Sequence, residues 1–291
     1  TTTGGPMRDS ERRERVRRYF AGNDCVRPAS VFDPISARIA DALGFDLGML
    51  GGSIASAVTV GAPDVAVMTL TELADQCHRI TRASELSLMV DADHGYGNAL
   101  SAMRTVRELE SAGVAAMTIE DTVLPQRHGH QGTEELIPID EMVGKLRASV
   151  AARQDPSTVI LGRTHAINAT SFEDAVVRVK AYAETGVDAI FIMGIKEIDQ
   201  LRTIREVTPL PFMLGTVSPS LTNEALAALG VRVALRGHGT FNASVKAIYD
   251  SLKHQAGGGM PSEVEETFAG PEIMGLATGS ATYKVWREDF L

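Results

Sequence analysis

The chain has 291 residues, 44% hydrophobic and 22% charged, an ordinary globular composition with enough apolar side chain for one large core. That excludes bulk disorder, and no run approaches ~18 uninterrupted apolar residues, so no membrane span is expected. Lys and Arg number 28 against 37 Asp and Glu, a net charge of −9, and so acidic a chain lacks the electrostatic footprint of a nucleic-acid binder.

In chain order, Thr1-Thr2-Thr3-Gly4-Gly5-Pro6 reads as a tail outside the fold. The basic cluster Arg12, Arg13, Arg15, Arg17 and Arg18 is interleaved with Glu11 and Glu14. It is read as the solvated face of an N-terminal helix rather than an anion-binding arm. From Pro28 onward short apolar runs alternate with amphipathic ones. Strands are expected at Ala29–Asp33, Leu47–Gly51, Leu86–Asp91, Ala115–Asp121, Thr158–Arg163, Ala189–Gly194, Phe212–Thr216 and Val231–Arg236. Most are apolar throughout, as parallel strands buried on both faces are. Thr69 with Glu72, and Ser171 with Asp174, carry the chemistry of helix starts. Gly113, Gly186 and Gly230 each follow a helical pattern, as left-handed caps do.

Eight successive βα units predict an α/β fold, a (β/α)8 TIM barrel. An open doubly wound sheet is weakened by the missing G-x-G-x-x-G after the first strand. The expected division is a tail and helix over 1–24, a barrel over 25–255 and a helical oligomerisation segment over 256–291. A helix is expected near Ala243–Lys253, and Phe268, Tyr283, Trp286 and Phe290 beyond it need a neighbouring subunit to pack on. Cys25 and Cys77 have no metal-ligand spacing, and with no apolar signal core at the N-terminus the expected compartment is the cytoplasm.

Barrel enzymes place their chemistry at the C-terminal ends of the strands. There the sequence sets Gly51-Gly52-Ser53, Asp91-Ala92-Asp93-His94, Glu120-Asp121, Arg163-Thr164-His165 and Gly237-His238. Asp91 and Asp93, two apart, are expected to share a strand face, with Glu120 one strand over. An all-oxygen set suits Mg2+, or Mn2+, rather than zinc. Arg163 can grip a carboxylate or phosphate bidentately, or pair with Glu120 or Asp121. Gly52 and Ser53 can approach an anion, and His238 is a candidate donor or proton-transfer group. His94, His128, His130 and His165 are weaker candidates.

Asp91-Ala92-Asp93-His94-Gly95-Tyr96-Gly97-Asn98, then Ile119-Glu120-Asp121 and Gly162-Arg163-Thr164, resembles the phosphoenolpyruvate mutase/isocitrate lyase superfamily from about Ser30 to about Asp250. The resemblance implies a (β/α)8 barrel with Mg2+, acting on 2-keto acids. It also implies a homo-oligomer, a tetramer built as a dimer of dimers, with C-terminal helices packed on a neighbour. By position, Asp91 would bind Mg2+ directly, Asp93 and Glu120 would hold its waters, and Gly52, Ser53 and Arg163 would hold the substrate carboxylate. The loop after Asp121 reads Pro125-Gln126-Arg127-His128-Gly129-His130. It carries neither the K-K-C-G-H of carbon–carbon lyases nor the Lys-x-Asn-Ser of the mutases. Ser30-Val31-Phe32-Asp33-Pro34, Leu50-Gly51-Gly52-Ser53 and Gly237-His238 are most similar to the oxaloacetate decarboxylase branch. One departure is Thr216-Val217-Ser218-Pro219, where that branch has a tyrosine.

The implied activity is Mg2+-dependent decarboxylation of oxaloacetate, or a close 2-keto dicarboxylate, with His238 orienting the keto acid and the 122–134 loop gating access. The rivals are a methylisocitrate- or dimethylmalate-type lyase, an oxaloacetate hydrolase, and a barrel that binds a dicarboxylate without turnover.

Overall fold

A computed structural model describes residues 7–130, 132, 134–218 and 220–291. The expected tail Thr1–Pro6 lies outside the described residues. Helix α1 (Asp9–Ala21) precedes β1 (Ala29–Ser30), α2 (Pro34–Ala42), β2 (Leu47–Leu50), α3 (Gly52–Val60), α4 (Leu70–Thr81) and β3 (Ser87–Asp91). Next come α5 (Ala99–Ser111), β4 (Ala116–Glu120), α6 (Ile139–Ala152), β5 (Val159–Thr164), α7 (Ala166–Ala169), α8 (Phe172–Ala183) and β6 (Ala189–Ile192). The chain continues through α9 (Ile198–Val207), β7 (Phe212–Leu214), α10 (Asn223–Ala228), β8 (Val231–Ala234), α11 (Gly239–Ala256), α12 (Pro271–Thr278) and α13 (Ser280–Phe290).

The eight strands pair in parallel in sequence order. The ring is closed by Val26, which bridges β8: its amide donates to Arg232 O and its carbonyl accepts from Ala234 N. The apolar runs have a direct cause. Met49, Met89, Leu161, Phe191 and Met213 fill the barrel interior, while Leu50, Leu88, Val90, Ile119 and Ile192 pack outward under the helices. Both faces are dry, so no polar alternation is written into the strands. Val16 and Phe20 of α1 join the interior cluster and plug the N-terminal end of the barrel. Thr69 and Ser171 cap α4 and α8 as expected, and Gly113, Gly186 and Gly230 are left-handed.

Two expectations need correction. Of the five arginines of α1, Arg12, Arg13, Arg15 and Arg17 are neither a solvated face nor an anion-binding arm, while Arg18 is exposed as expected. Arg12 donates to Thr81 O and Ser84 O, Arg13 to Glu110 O and Val114 O, and Arg17 to Thr158 O. Arg12 and Arg13 are 6% and 8% exposed, so these guanidinium groups satisfy helix C-terminal and loop carbonyls beneath the barrel. Six of the expected strand ends also overshoot, by up to three residues at β1, where Asp33 leaves the strand to cap α2, while β3 ends at Asp91 as expected and β5 runs one residue further, to Thr164.

Helix α11 has no buried residue. Val245, Ile248, Tyr249 and Leu252 form an exposed apolar stripe at i, i+3, i+4 and i+7. Helix α12 packs on α2, where Arg38 donates to Ala277 O, while Phe268, Tyr283, Trp286 and Phe290 remain exposed. Both cysteines are buried and free.

Candidate active site

Helix α3 begins at Gly52, directly off β2, so its N-terminal amides face the barrel mouth. The Gly52 amide donates to Asp91 Oδ2 at 3.5 Å. A Cβ on Gly52 would lie 2.4 Å from Asp93 Oδ1, so only glycine admits this approach. Asp91 also accepts from Thr118 Oγ1 and from the Asp93 amide, each at 3.2 Å, and from Arg163 Nη1. Strand β3 ends at Asp91 and Asp93 is left-handed (φ 46°), so the two carboxylates do not share a strand face as expected. A tight turn brings Asp93 to the same place.

Glu120, at the end of β4, meets Arg163 Nε at 3.0 Å, an ion-pair contact too poorly aligned to count as a hydrogen bond. His165 Nε2 lies 3.2 Å from Glu120 and 2.7 Å from Arg163 Nη2. The guanidinium also stands over the Phe191 ring, 4.9 Å from its centroid. Arg163 therefore pairs with Glu120, as the sequence allowed, and with Asp91, which the sequence did not suggest. His165 belongs to the site more fully than its weak sequence signal implied, and its Nδ1 reaches Glu134 at 3.6 Å. Asp121, by contrast, is structural: it is fully buried and accepts from Thr164 Oγ1, the His165 amide, Arg178 and Tyr182 OH.

His238 follows β8. Its ring lies against the Gly51 backbone, where a Cβ would be 2.5 Å from Cε1, and its Nδ1 is 3.3 Å from Ser30 Oγ. Burial lowers its pKa against the opposing pull of Asp91 and Asp64, so the ring is neutral at pH 7. Asp64, between α3 and α4, was missed by the sequence reading. It is exposed, yet shielding together with Asp91 and Glu120 pushes its carboxyl up. His128 and His130 lie on the exposed loop, and His94 packs against Tyr96. Val217 is buried where the tyrosine was expected, and Pro219 lies outside the described residues.

The donor set is oxygen-only and carries surplus negative charge. Burial, then Asp91, Glu120 and Asp64, push the Asp93 carboxyl up to about 8, and Arg163 opposes this only in part. Glu120 is held well below its usual range, because Arg163 and His165 outweigh its burial. A divalent hard cation fits this excess, as Mg2+ or Mn2+ would. Among the described residues no three His, Cys, Asp or Glu side chains form a ready coordination shell. A site with one directly binding carboxylate and two that hold waters needs no such shell.

Comparison with known proteins identifies the family and the fold. Residues 17–255 match the family model described as phosphoenolpyruvate phosphomutase. An oxaloacetate decarboxylase from Rhodopseudomonas palustris (strain BisB18) is 49% identical over 281 residues, 96% of this chain and 97% of its own. The crystal structure of phosphoenolpyruvate phosphomutase from Streptomyces platensis subsp. rosaceus superposes with a TM-score of 0.87 at 28% identity, covering 96% of this chain and 99% of that one. Phosphonopyruvate hydrolase in complex with oxalate and Mg2+ superposes at 0.85 with 26% identity, covering 98% and 99%. A closed parallel barrel, carboxylates crowded at its mouth and a family match across nearly the whole barrel lead to one assignment: the chain belongs to the phosphoenolpyruvate mutase/isocitrate lyase superfamily.

Proposed function

We propose that the protein is an oxaloacetate decarboxylase that converts oxaloacetate to pyruvate and CO2, using a divalent cation held at Asp91. The observation that carries this reading is the convergence of Asp91, Asp93, Glu120, Arg163 and the Gly52 amide at one mouth of the barrel. The full-length likeness to a relative named oxaloacetate decarboxylase supports the substrate. Asp91 would bind the cation, and Asp93 and Glu120 would hold its waters. When bound, the cation supplies Lewis-acid stabilisation of the negative charge that develops on the keto oxygen as CO2 leaves.

The chain's own residues do the rest. The Gly52 and Ser53 amides at the start of α3, with Arg163, bind and orient the C1 carboxylate. His238, neutral and braced by Gly51 and Ser30, orients the keto acid without a full positive charge. The departing C4 carboxylate is therefore not held back by a cation, and its conversion to neutral CO2 is favoured. The electron pair of the breaking C3–C4 bond becomes the pyruvate enolate, which takes a proton at C3 from water, with His238 placed to orient that water. Access would be gated by the 122–134 loop, of which Gln131 and Thr133 lie outside the described residues: Glu134 on it reaches His165, beside Glu120.

The exposed stripe on α11 and the bare aromatics of 256–291 support a homo-oligomer, with a tetramer as its expected form. Two buried free thiols suit the reducing cytoplasm.

The test is product analysis with Mg2+ present and the metal-catalysed background subtracted. Pyruvate and CO2 are expected from wild type, and none above background from Asp91→Ala. Acetate with oxalate would identify a hydrolase instead. Turnover of a substituted malate or citrate into two carbon fragments would identify a lyase. Binding without turnover would leave a dicarboxylate receptor.

A further inference from the structure

Lys145 lies on the inward face of α6, between Met142, Leu146 and Ser149, and is only 3% exposed. Its ammonium has three N–H groups and among the described residues makes one hydrogen bond, to the His94 carbonyl at 2.9 Å. Burial lowers its pKa, although Glu141, Glu120 and Asp121 oppose that shift. A buried ammonium with one partner is a stability liability that an apolar residue of similar length would remove. Its single bond therefore points to what the group is for.

That bond belongs to a set. Three consecutive carbonyls of the turn after β3 are each held by a different element. Asp93 O accepts from the Glu120 amide of β4, His94 O from Lys145 of α6, and Gly95 O from Thr105 Oγ1 of α5. The turn contains two left-handed residues that are not glycine, Asp93 (φ 46°) and Tyr96 (φ 60°). Such a backbone persists only where its surroundings over-determine it. Asp93 is the residue the turn must aim, because its carboxylate sits over Gly52.

We propose that Lys145 is a positioning residue: its buried ammonium pins the His94 carbonyl, and so holds the left-handed turn that directs the Asp93 carboxylate to the cation site. The proposal rests on reading Asp91 and Asp93 as holders of a divalent cation, and it deepens that reading. Partners of this kind alter metal affinity by roughly 10–100-fold when removed.

The test is Mn2+ binding by the purified full-length protein, followed by the EPR signal of free Mn2+, alongside thermal melting. Lys145→Met is expected to weaken Mn2+ binding by about tenfold or more while melting no lower than wild type. Lys145→Arg, which keeps a charged donor, is expected to restore most of the affinity. Unchanged Mn2+ affinity in Lys145→Met overturns the proposal. So does a Lys145→Met protein that melts lower or fails to fold, because the lysine would then serve stability. An Arg variant that folds yet binds no better than Met also overturns it. Wild type that binds no Mn2+ refutes the metal reading itself, and wild type that binds Mn2+ without turning over oxaloacetate refutes only the assigned reaction.

Discussion

Gly52→Ala separates the chemistry of the site from the stability of the fold. The new Cβ would lie 2.4 Å from Asp93 Oδ1 and 3.4 Å from Asp91 Oδ2. The second distance is ordinary contact and the first is not, so Asp93 Oδ1 must retreat by about 1 Å. A displacement of that size at a catalytic constellation costs about 10²-fold in rate, or about 2.7 kcal/mol of transition-state stabilisation. Folding has no matching cost. Gly52 is a helical residue without positive φ, where alanine contributes about 0.4–1 kcal/mol by restricting the unfolded chain. The assay is the initial rate of pyruvate formation with Mg2+, coupled to NADH oxidation by lactate dehydrogenase, beside a circular dichroism melt. The expected result is a rate about two orders of magnitude down with an equal or higher melting temperature. A rate within about threefold of wild type would show that the Asp93 position does not matter to catalysis, and the site assignment would fail.

Three further outcomes follow from the same geometry. Asp121→Asn removes one of the two carboxylate charges that Arg178 faces, Asp174 being the other, and unbalances four donors, so the protein loses about 2 kcal/mol and melts roughly 5 °C lower, with kcat at low temperature kept within a small factor. Urea melts beside rate measurements check this, and a rate loss without a stability loss would make Asp121 catalytic. In metal-free protein the Asp93 carboxyl titrates near 8 in the folded state and near the usual carboxylate value unfolded. Its folded pKa is the higher one, so its contribution is fully present below about pH 4 and is lost as pH rises through about 8. Mg2+ is therefore expected to raise the melting temperature more at pH 8 than at pH 5, and a pH-independent gain refutes the charge-crowding argument. Sedimentation of the full-length protein is expected to give a multiple of the chain mass, and Tyr249→Asp on the exposed stripe to lower it. A monomeric wild type would refute the oligomer.

The barrel was legible because its physics is local to each strand. A segment buried on both faces must be apolar throughout, and eight such runs with capped helices between them admit few topologies. Asp91, Glu120, Arg163 and His238 were legible for the same reason: they are the polar residues that end greasy runs. What the sequence hid depends on long-range partners. Arg12 and Arg13 look like a solvated helix face until carbonyls some seventy to a hundred residues away arrive beside them. Asp93 read as a strand residue because alternation has no symbol for a left-handed turn, although the glycines at 95 and 97 were a signal that the strand had ended. Asp64 sits in a loop with no periodic context. Lys145 did leave a trace, a charge on the apolar face of α6 between Met142 and Leu146.

The two ends of the barrel handle charge in opposite ways. Below, the guanidinium groups of α1 neutralise carbonyls that β-strand starts and helix ends leave unpaired, and every such contact favours the fold. Above, Asp64, Asp91, Asp93 and Glu120 crowd one another around Arg163, and burial with this crowding pushes the Asp93 carboxyl far above the usual carboxylate range. Stability alone would not retain that crowding, nor the buried Lys145 behind it, which among the described residues makes one hydrogen bond. Both become intelligible if the folded state is completed by a dication, whose binding free energy is then also folding free energy. The α1 plug and its arginines tie down the N-terminal end of the barrel, and on the proposed function the other end is completed by the ion and the keto acid. On that reasoning the strain lies where the chemistry is, at the C-terminal ends of the strands, and the compensating bonds lie at the opposite end.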